Sequence, residues 1–417
     1  MLALPRSSSR PPYQRAWTLA LSVPQLLGWG SLYYAFSVLI GPMEVELHIS
    51  RLELAGAFSL GLFVEGVMAY PVGRFVDRGK ARWVMPLGSL LAAMGLWMLA
   101  LSQHRWEVYA AWAVLGCAMA MVLYTASFAV VTRRFPLHYR RAILTLSLLG
   151  GLASTVFIPL VAWLVRHVGW RQALEFLALL QLLVCVPLHA ALLHEPEPSM
   201  AGRVRPAIPP VAELRQLLRS GPYLQVCAFV LLMTAVSAAL PIHLVSVLRA
   251  FQLQDAWAVM VPASLGLFQV ASRLLLYLVE KRLDRHLVNR TIPALIPLGL
   301  LMLLSASVVA PTLAAGFALA FVALFGMGNG MLTIVKGTAM AQYVSHRHAA
   351  SLNGALGIPL AFARATAPLA FAALWSATLG YGPGIAVLLV LSLVGVGALW
   401  LAQGSPGATS GEVGLPT

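Results

Sequence analysis

Two ionisable residues stand where ionisable residues are costly. Glu65 lies in LAGAFSLGLFVEGVMAYPVG and Arg364 in NGALGIPLAFARATAPLAFA, each flanked by more than two helical turns of uncharged sequence. A carboxyl group in such a place is a candidate for a coupling proton, because binding nearby can switch it between its charged and neutral forms. An arginine there offers a planar fork that fits a substrate carboxylate. A structural ion pair between the two is the third reading.

The elements that must hold these groups follow from composition. Charged residues make up 10% of the 417 residues and hydrophobic types 60%, too little charge to cover a soluble fold of this size. The apolar runs lack the two-residue alternation of barrel strands and have the length of about 20 residues that a helix needs to cross a bilayer. Spans are expected near 16–40, 54–73, 83–103, 106–131, 142–165, 173–193, 223–248, 257–279, 292–310, 312–335, 351–377 and 382–402. The expected class is an all-α membrane protein of twelve transmembrane helices.

Basic residues cluster in alternate gaps. Because Lys and Arg are retained on the cytoplasmic side, the clusters beginning at Arg6, Arg74, Arg133, Arg203, Arg273 and Lys336 are expected inside. Arg51, Arg105, Arg166, Arg171 and Arg249 fall outside, and Arg364 within a span. Both termini are then cytoplasmic, in an integral plasma membrane protein of the bacterial inner-membrane kind. The net charge of +14 is this asymmetry, with some affinity for anionic lipid, and no nucleic-acid partner is expected. No small-residue cleavage site follows the first apolar run, which is expected to be retained. Cys117, Cys185 and Cys227 are scattered through the spans as packing residues, and neither a metal site nor a cofactor is expected.

The longest polar gap, His194 to Pro222, divides the chain into an N-terminal six-helix bundle (1–193), a cytoplasmic linker (194–222) and a C-terminal six-helix bundle with a short tail (223–417). Within the linker Val211, Leu214, Leu217 and Leu218 oppose Glu213, Arg215 and Arg219, the pattern of a helix lying on the inner membrane surface. The halves echo each other: Gly73-Arg74 corresponds to Ser272-Arg273, and Phe135 to Tyr343. Two pseudo-symmetric six-helix bundles place a binding site at their interface, near the bilayer midplane.

Between the second and third spans the chain reads Gly73-Arg-Phe-Val-Asp77-Arg78-Gly79-Lys80-Ala-Arg82. This resembles the loop signature of the major facilitator superfamily, with the second glycine one place early and the last arginine one place late. Physically, Gly73 would permit close helix approach, and Asp77 could face the positive end of a neighbouring helix. The resemblance implies that Asp77 holds the halves together near Ser351 to Asn353. Gly28-Trp29-Gly30 with Tyr33, Arg140-Arg141-Ala142 before Gly150-Gly151, and Asn353-Gly354 look like the monocarboxylate porter and oxalate/formate antiporter branch. Leu26, Leu27 and Leu146 depart from that branch's pattern.

The same resemblance makes helices 1, 4, 7 and 10 the cavity walls and brings helices 2 and 11, with Glu65 and Arg364 at similar depth, side by side. Candidate wall residues are Gln25, Trp29, Tyr33 and Phe36; Cys117, Met121, Tyr124 and Phe128; Cys227, Thr234 and Ser237; and Phe325, Asn329 and Thr333. Gln269 is added on helix 8, where Arg273 is read as snorkelling to lipid phosphate, although the resemblance also implies a helix 8 cation that binds anions. His243, near the outer end of helix 7, is read as a solvated or hydrogen-bonded interfacial histidine ahead of a protonatable gate, and Pro24, Pro159, Pro241, Pro262, Pro359 and Pro368 mark bends. No phosphate-binding glycine loop and no soluble segment able to hold a nucleotide-binding domain is present, so no enzyme is expected. The expectation is a monomeric secondary active transporter of a small organic anion or carboxylate, coupled to protons. The alternative is a proton-driven exporter of multiple drugs or toxic compounds.

Overall fold

The structure, a computed structural model, describes residues 14–135, 138–194, 211–279, 285–345 and 348–404. The lead 1–13, the linker stretch 195–210, the tail 405–417 and the basic residues Arg6, Arg10, Arg203, Arg205, Lys281, Arg282 and Arg347 lie outside the described residues.

The described backbone is helical almost throughout, with one isolated bridge between Ser376 and Gly380. The main helices are α1 (Arg15–Leu47), α2 (Arg51–Phe75), α3 (Ala81–Leu101), α4 (Arg105–Arg134), α5 (Arg141–Val168) and α6 (Trp170–Leu192). They continue as α7 (Gly221–Ala250), α8 (Asp255–Val279), α9 (Arg285–Ala306), α10 (Pro311–Tyr343), α11 (Gly357–Ala373) and α12 (Gly382–Gln403). Ten helical stretches among the described residues are long and apolar enough to cross a membrane; one, Arg51–Leu101, contains both α2 and α3, and α11 is apolar but shorter. Helical backbone covers most of each expected span, with 102–103, 193, 307–310 and 374–377 lying beyond the helix ends. The turn from α2 to α3 depends on Gly79, whose φ of +75° only glycine adopts freely.

Polar residues close several helix ends. The Ser50 hydroxyl accepts from Glu53 N at 3.2 Å while Ser50 N donates to the Glu53 carboxylate at 3.0 Å, a reciprocal cap that starts α2. Arg133 is buried and donates to the carbonyl of Val76 at 2.7 Å, beyond the end of α2. This corrects its reading as a loop charge: the freed carbonyl at a sharp turn needs a donor.

Two apolar cores form. One draws on residues from Leu21 to Leu193, joined by Ile242, Val245, Val259, Ala263 and Ala365, and the other runs from Tyr223 to Ala402. The short helix Val211–Leu218 leans on the second core through Leu214, Leu217 and Leu218 and leaves Arg215 and Arg219 exposed, so its apolar side meets protein. Between the halves α2 packs on α11 and α5 on α8. Small residues permit this: a Cβ at Gly66 would lie 2.5 Å from that of Ala361, and one at Gly266 would lie 2.5 Å from the carbonyl of Gly151.

Helix irregularities recur at matching places. α5 is interrupted at Leu152, and the backbone between the short helix Ala349–Ala355 and α11 is interrupted at Leu356. α4 breaks at Leu123, where the backbone turns extended. In α1 a widened π-helical turn spans Gly30–Tyr34, with Ala35 N donating to Gly30 O at 2.9 Å. Such a turn shifts the phase of the following residues.

The close-approach role expected of Gly73 is not met, because a Cβ there would meet nothing within 4 Å. The tight contact lies at Gly116, where a Cβ would come 2.3 Å from the carbonyl of Gly61. Gly116→Ala is therefore expected to destabilise by about 1–3 kcal/mol through overpacking, whereas Gly73→Ala should not lower stability; thermal unfolding of the purified variants in detergent checks the contrast.

Candidate functional site

A cavity of about 1260 Å³ lies between the halves. Its lining runs out to Tyr139, Arg141, Asn289 and Gln342, at the end of the bundle where α1 begins and α12 finishes. At the opposite end the halves are joined by Arg51 Nη1 donating to the Tyr381 hydroxyl at 3.0 Å, and deeper by Tyr33 donating to the carbonyl of Ala238 at 3.3 Å. The structure is thus open at one end and closed at the other.

The N-terminal half contributes an aromatic wall. Trp29 and Tyr124 face each other at 5.0 Å between centroids, Tyr124 stacks on Phe128 at 4.9 Å, and Tyr33 sits 5.5 Å from Trp29. The adjacent Tyr33 and Tyr34, both within the π-helical turn of α1, line the cavity. Tyr34 was not among the expected residues, since a regular helix points neighbours about 100° apart.

The C-terminal half contributes polar and cationic groups. Thr234, Gln269 and Asn329 line the cavity as expected, and Ser237 Oγ donates to Asn329 Oδ1 at 2.8 Å. Lys336 lines it too, donating from Nζ to Thr234 Oγ1 at 3.1 Å. This corrects its assignment to a cytoplasmic loop. α10 runs unbroken through Lys336 to Tyr343, and its polar end faces the cavity, where the apolar pattern that marks a lipid-facing span is not required. The signal was legible as a row: Asn329, Thr333 and Lys336 follow one another at helical spacing. Arg273 does not reach outward to phosphate; it donates to Gly330 O at 3.0 Å and across the interface to Ser147 O at 2.7 Å.

Glu65 and Arg364 meet at the boundary of the halves, where Arg364 Nη2 donates to Glu65 Oε2. The Glu65 side chain is 8% exposed and that of Arg364 31%, so the arginine retains access to the cavity. Glu65 is the one carboxylate among the described lining residues. Against it stand Arg364, Lys336, Arg273 and, near the mouth, Arg141.

Several candidates take other places. Gln25 is fully buried and donates to Val122 O at 2.6 Å and Ser127 Oγ at 2.7 Å, satisfying the carbonyl released where α4 breaks. Phe36 packs with Phe58 and Trp112, and Phe325 with Phe321. Cys117, Met121 and Cys227 are outside the lining. His243 is buried, with Nε2 3.1 Å from the carbonyl of Pro368 in its own half, and its ring packs on Phe371, which in turn stacks on Tyr381 of the closed-end contact with Arg51. Asp77 is exposed beside Gly79, and no ion pair or hydrogen bond of its carboxylate is found among the described residues. Among the described residues Asp77 makes no hydrogen bond to Leu352 or Asn353, in a structure whose cavity opens at that end.

Comparison with known proteins agrees with this architecture. Monocarboxylate transporter 13 of Bos taurus is 30% identical over 242 residues, covering 53% of this chain and 54% of that protein. The uncharacterized MFS-type transporter YcxA of Bacillus subtilis (strain 168) is 23% identical over 199 residues, covering 46% and 48%. The chain thus spans about half the length of the curated relatives it matches. Two solved structures share the fold. A bacterial homologue of the human lysosomal transporter Spinster, in an inward-facing and occupied conformation, superposes with a TM-score of 0.71 at 15% identity, covering 94% of this chain and 97% of that one. The nucleoside transporter NupG, as its D323A mutant, also gives 0.71 at 15%, covering 93% and 99%. The sequence model of the Major Facilitator Superfamily matches residues 25–368. The chain belongs to that superfamily, whose members are membrane transporters and not enzymes.

Proposed function

We propose that this protein is a secondary active transporter of a small organic anion, carried by alternating access through the cavity between the two halves. The observation that carries the reading is the charge imbalance of that cavity. Glu65 is held by Arg364, which leaves Lys336 and Arg273 without a carboxylate partner among the described lining residues. Cations held away from bulk water attract an anion strongly, because screening there is weak. The likeness to a protein named as a monocarboxylate transporter supports the same class.

Proton coupling has a simple route in this reading. A proton on Glu65 cancels its charge and releases Arg364 to the substrate, while loss of the proton restores the ion pair and favours release. The bundles 1–193 and 223–417 act as the two moving bodies, with 194–222 as their tether, and the open end faces the cytoplasm of an inner membrane. Asp77 then acts in cycling, engaging when that end closes. A second reading, proton-driven export of lipophilic compounds, draws on the aromatic wall formed by Trp29, Tyr124 and Phe128.

Uptake by the purified protein in liposomes separates the two. Wild type should accumulate labelled carboxylates against a concentration gradient when a proton gradient is imposed. Lys336→Gln should lower that uptake about tenfold or more, consistent with loss of one charge-assisted contact, while Lys336→Arg retains most of it. Transport of lipophilic cations with no carboxylate uptake would replace the anion reading with the exporter.

The ion pair gives a separate test. Removing one partner of a buried pair leaves a costly lone charge, so Glu65→Gln and Arg364→Gln should each lower thermal stability, and the double variant should be more stable than the two losses together imply. Strictly additive losses at matched abundance would remove the pair as an energetic unit.

A further inference from the structure

We propose that the carried anion has an aromatic, planar body, with recognition divided between the halves: Lys336 of α10 takes the charge, and Trp29, Tyr124 and Phe128 of the opposite half take the ring. The proposal rests on the anion reading above and specifies its substrate class.

The first observation is the segregation of chemistry across the interface. The cavity's aromatic side chains cluster on α1 and α4, with Tyr139 at the mouth, while three of the four lining cations, Arg273, Lys336 and Arg364, lie on the C-terminal half and the fourth, Arg141, stands at the mouth. The pseudo-symmetry sharpens this. Phe128 lies seven residues before Phe135 and Lys336 seven before Tyr343, so the corresponding positions of the two halves hold a ring and a cation, both on the cavity wall. A symmetric cradle for a small ion would not need that difference.

The second observation is the form of the aromatic surface. Tyr124 and Phe128 stack with an interplanar angle of 15°, and Trp29 tilts over Tyr124 at 44°. Their rings present faces and edges against which a further ring can stack or pack edge-on. The third is the state of the cation. Lys336 Nζ has one hydrogen bond, to Thr234 Oγ1, and an ammonium group has three donors to place. It is also within electrostatic reach of Arg364, so the two cations repel and an anion between the walls relieves that repulsion. Finally, a cavity of about 1260 Å³ is of the order that holds drug-sized ligands, whose sites run to roughly 300–1,000 Å³, and far exceeds a two-carbon acid.

Binding of acetate, benzoate, 2-naphthoate and neutral benzamide to the purified full-length protein, read by calorimetry, tests this directly. Affinity should rise about tenfold or more from acetate to benzoate and again to 2-naphthoate, with benzamide weak. Lys336→Gln should weaken all three acids alike. Trp29→Leu should weaken benzoate and 2-naphthoate and leave acetate unchanged; Phe128→Leu serves the same purpose should the first variant fail to fold. Acetate binding as tightly as benzoate, or equal losses for acetate and benzoate in the aromatic variants, would overturn the proposal while leaving an anion carrier standing. Benzamide binding as tightly as benzoate would overturn the anion reading itself, and this proposal with it.

Discussion

A charge in the middle of a membrane-spanning helix must find an opposite charge, a dense set of hydrogen bonds, or water. Glu65 and Arg364 find each other, and because one belongs to α2 and the other to α11, their pairing is also a contact between the two halves. Around it the interface is built from small residues, Gly66 against Ala361 and Gly266 against Gly151, which bring backbones together without interlocking side chains. Such a surface slides and rocks more readily than one of interdigitated large residues. The polar pair then supplies a specific link where packing alone would leave the register loose.

The rest of the cavity follows from this arrangement. With Glu65 committed to Arg364, the positive charge of Arg273 and Lys336 dominates the C-terminal wall, while the N-terminal wall is aromatic. Arg273 differs in kind from Lys336: it spends donors on the carbonyls of Gly330 and Ser147 and so ties α8 to α5, leaving Lys336 the freer cation. The interruptions at Leu152 in α5 and Leu356 before α11 lie in helices that form the interface, and such breaks are where a helix bends. Among the described residues, polar contacts that join the halves away from the open end include Arg51 with Tyr381, Tyr33 with the carbonyl of Ala238 and Thr155 with the carbonyl of Ala263.

Much of this was legible in the sequence, for identifiable reasons. Apolar runs and basic gaps mark the helices, because lipid demands apolar surface and an internally paired backbone. Glu65 and Arg364 stood out because a lone charge in such a run has few innocent explanations. The aromatic rows of α1 and α4 were found by helical spacing, but spacing could not say which members of a row face the cavity; Trp29, Tyr33, Tyr124 and Phe128 do, and Phe36 and Met121 do not. Lys336 was missed because hydropathy assumes lipid around a span, whereas this part of α10 borders a polar cavity. Gln25 was misread because its partner is a carbonyl freed by a break at Leu123, ninety-eight residues away, which no local pattern announces.

The central claim is that the halves move as two bodies about the interface that holds Glu65 and Arg364, so that opening at one end accompanies closing at the other. Distances between spin labels in a cysteine-free background test it most directly, with one pair at Arg78 and Leu287 by the open end and another at Gln103 and Gln254 by the closed end. On addition of a carboxylate that the protein transports in liposomes, the first distance should shorten as the second lengthens. Two distances that change in the same direction, or that stay fixed throughout transport, would contradict the account.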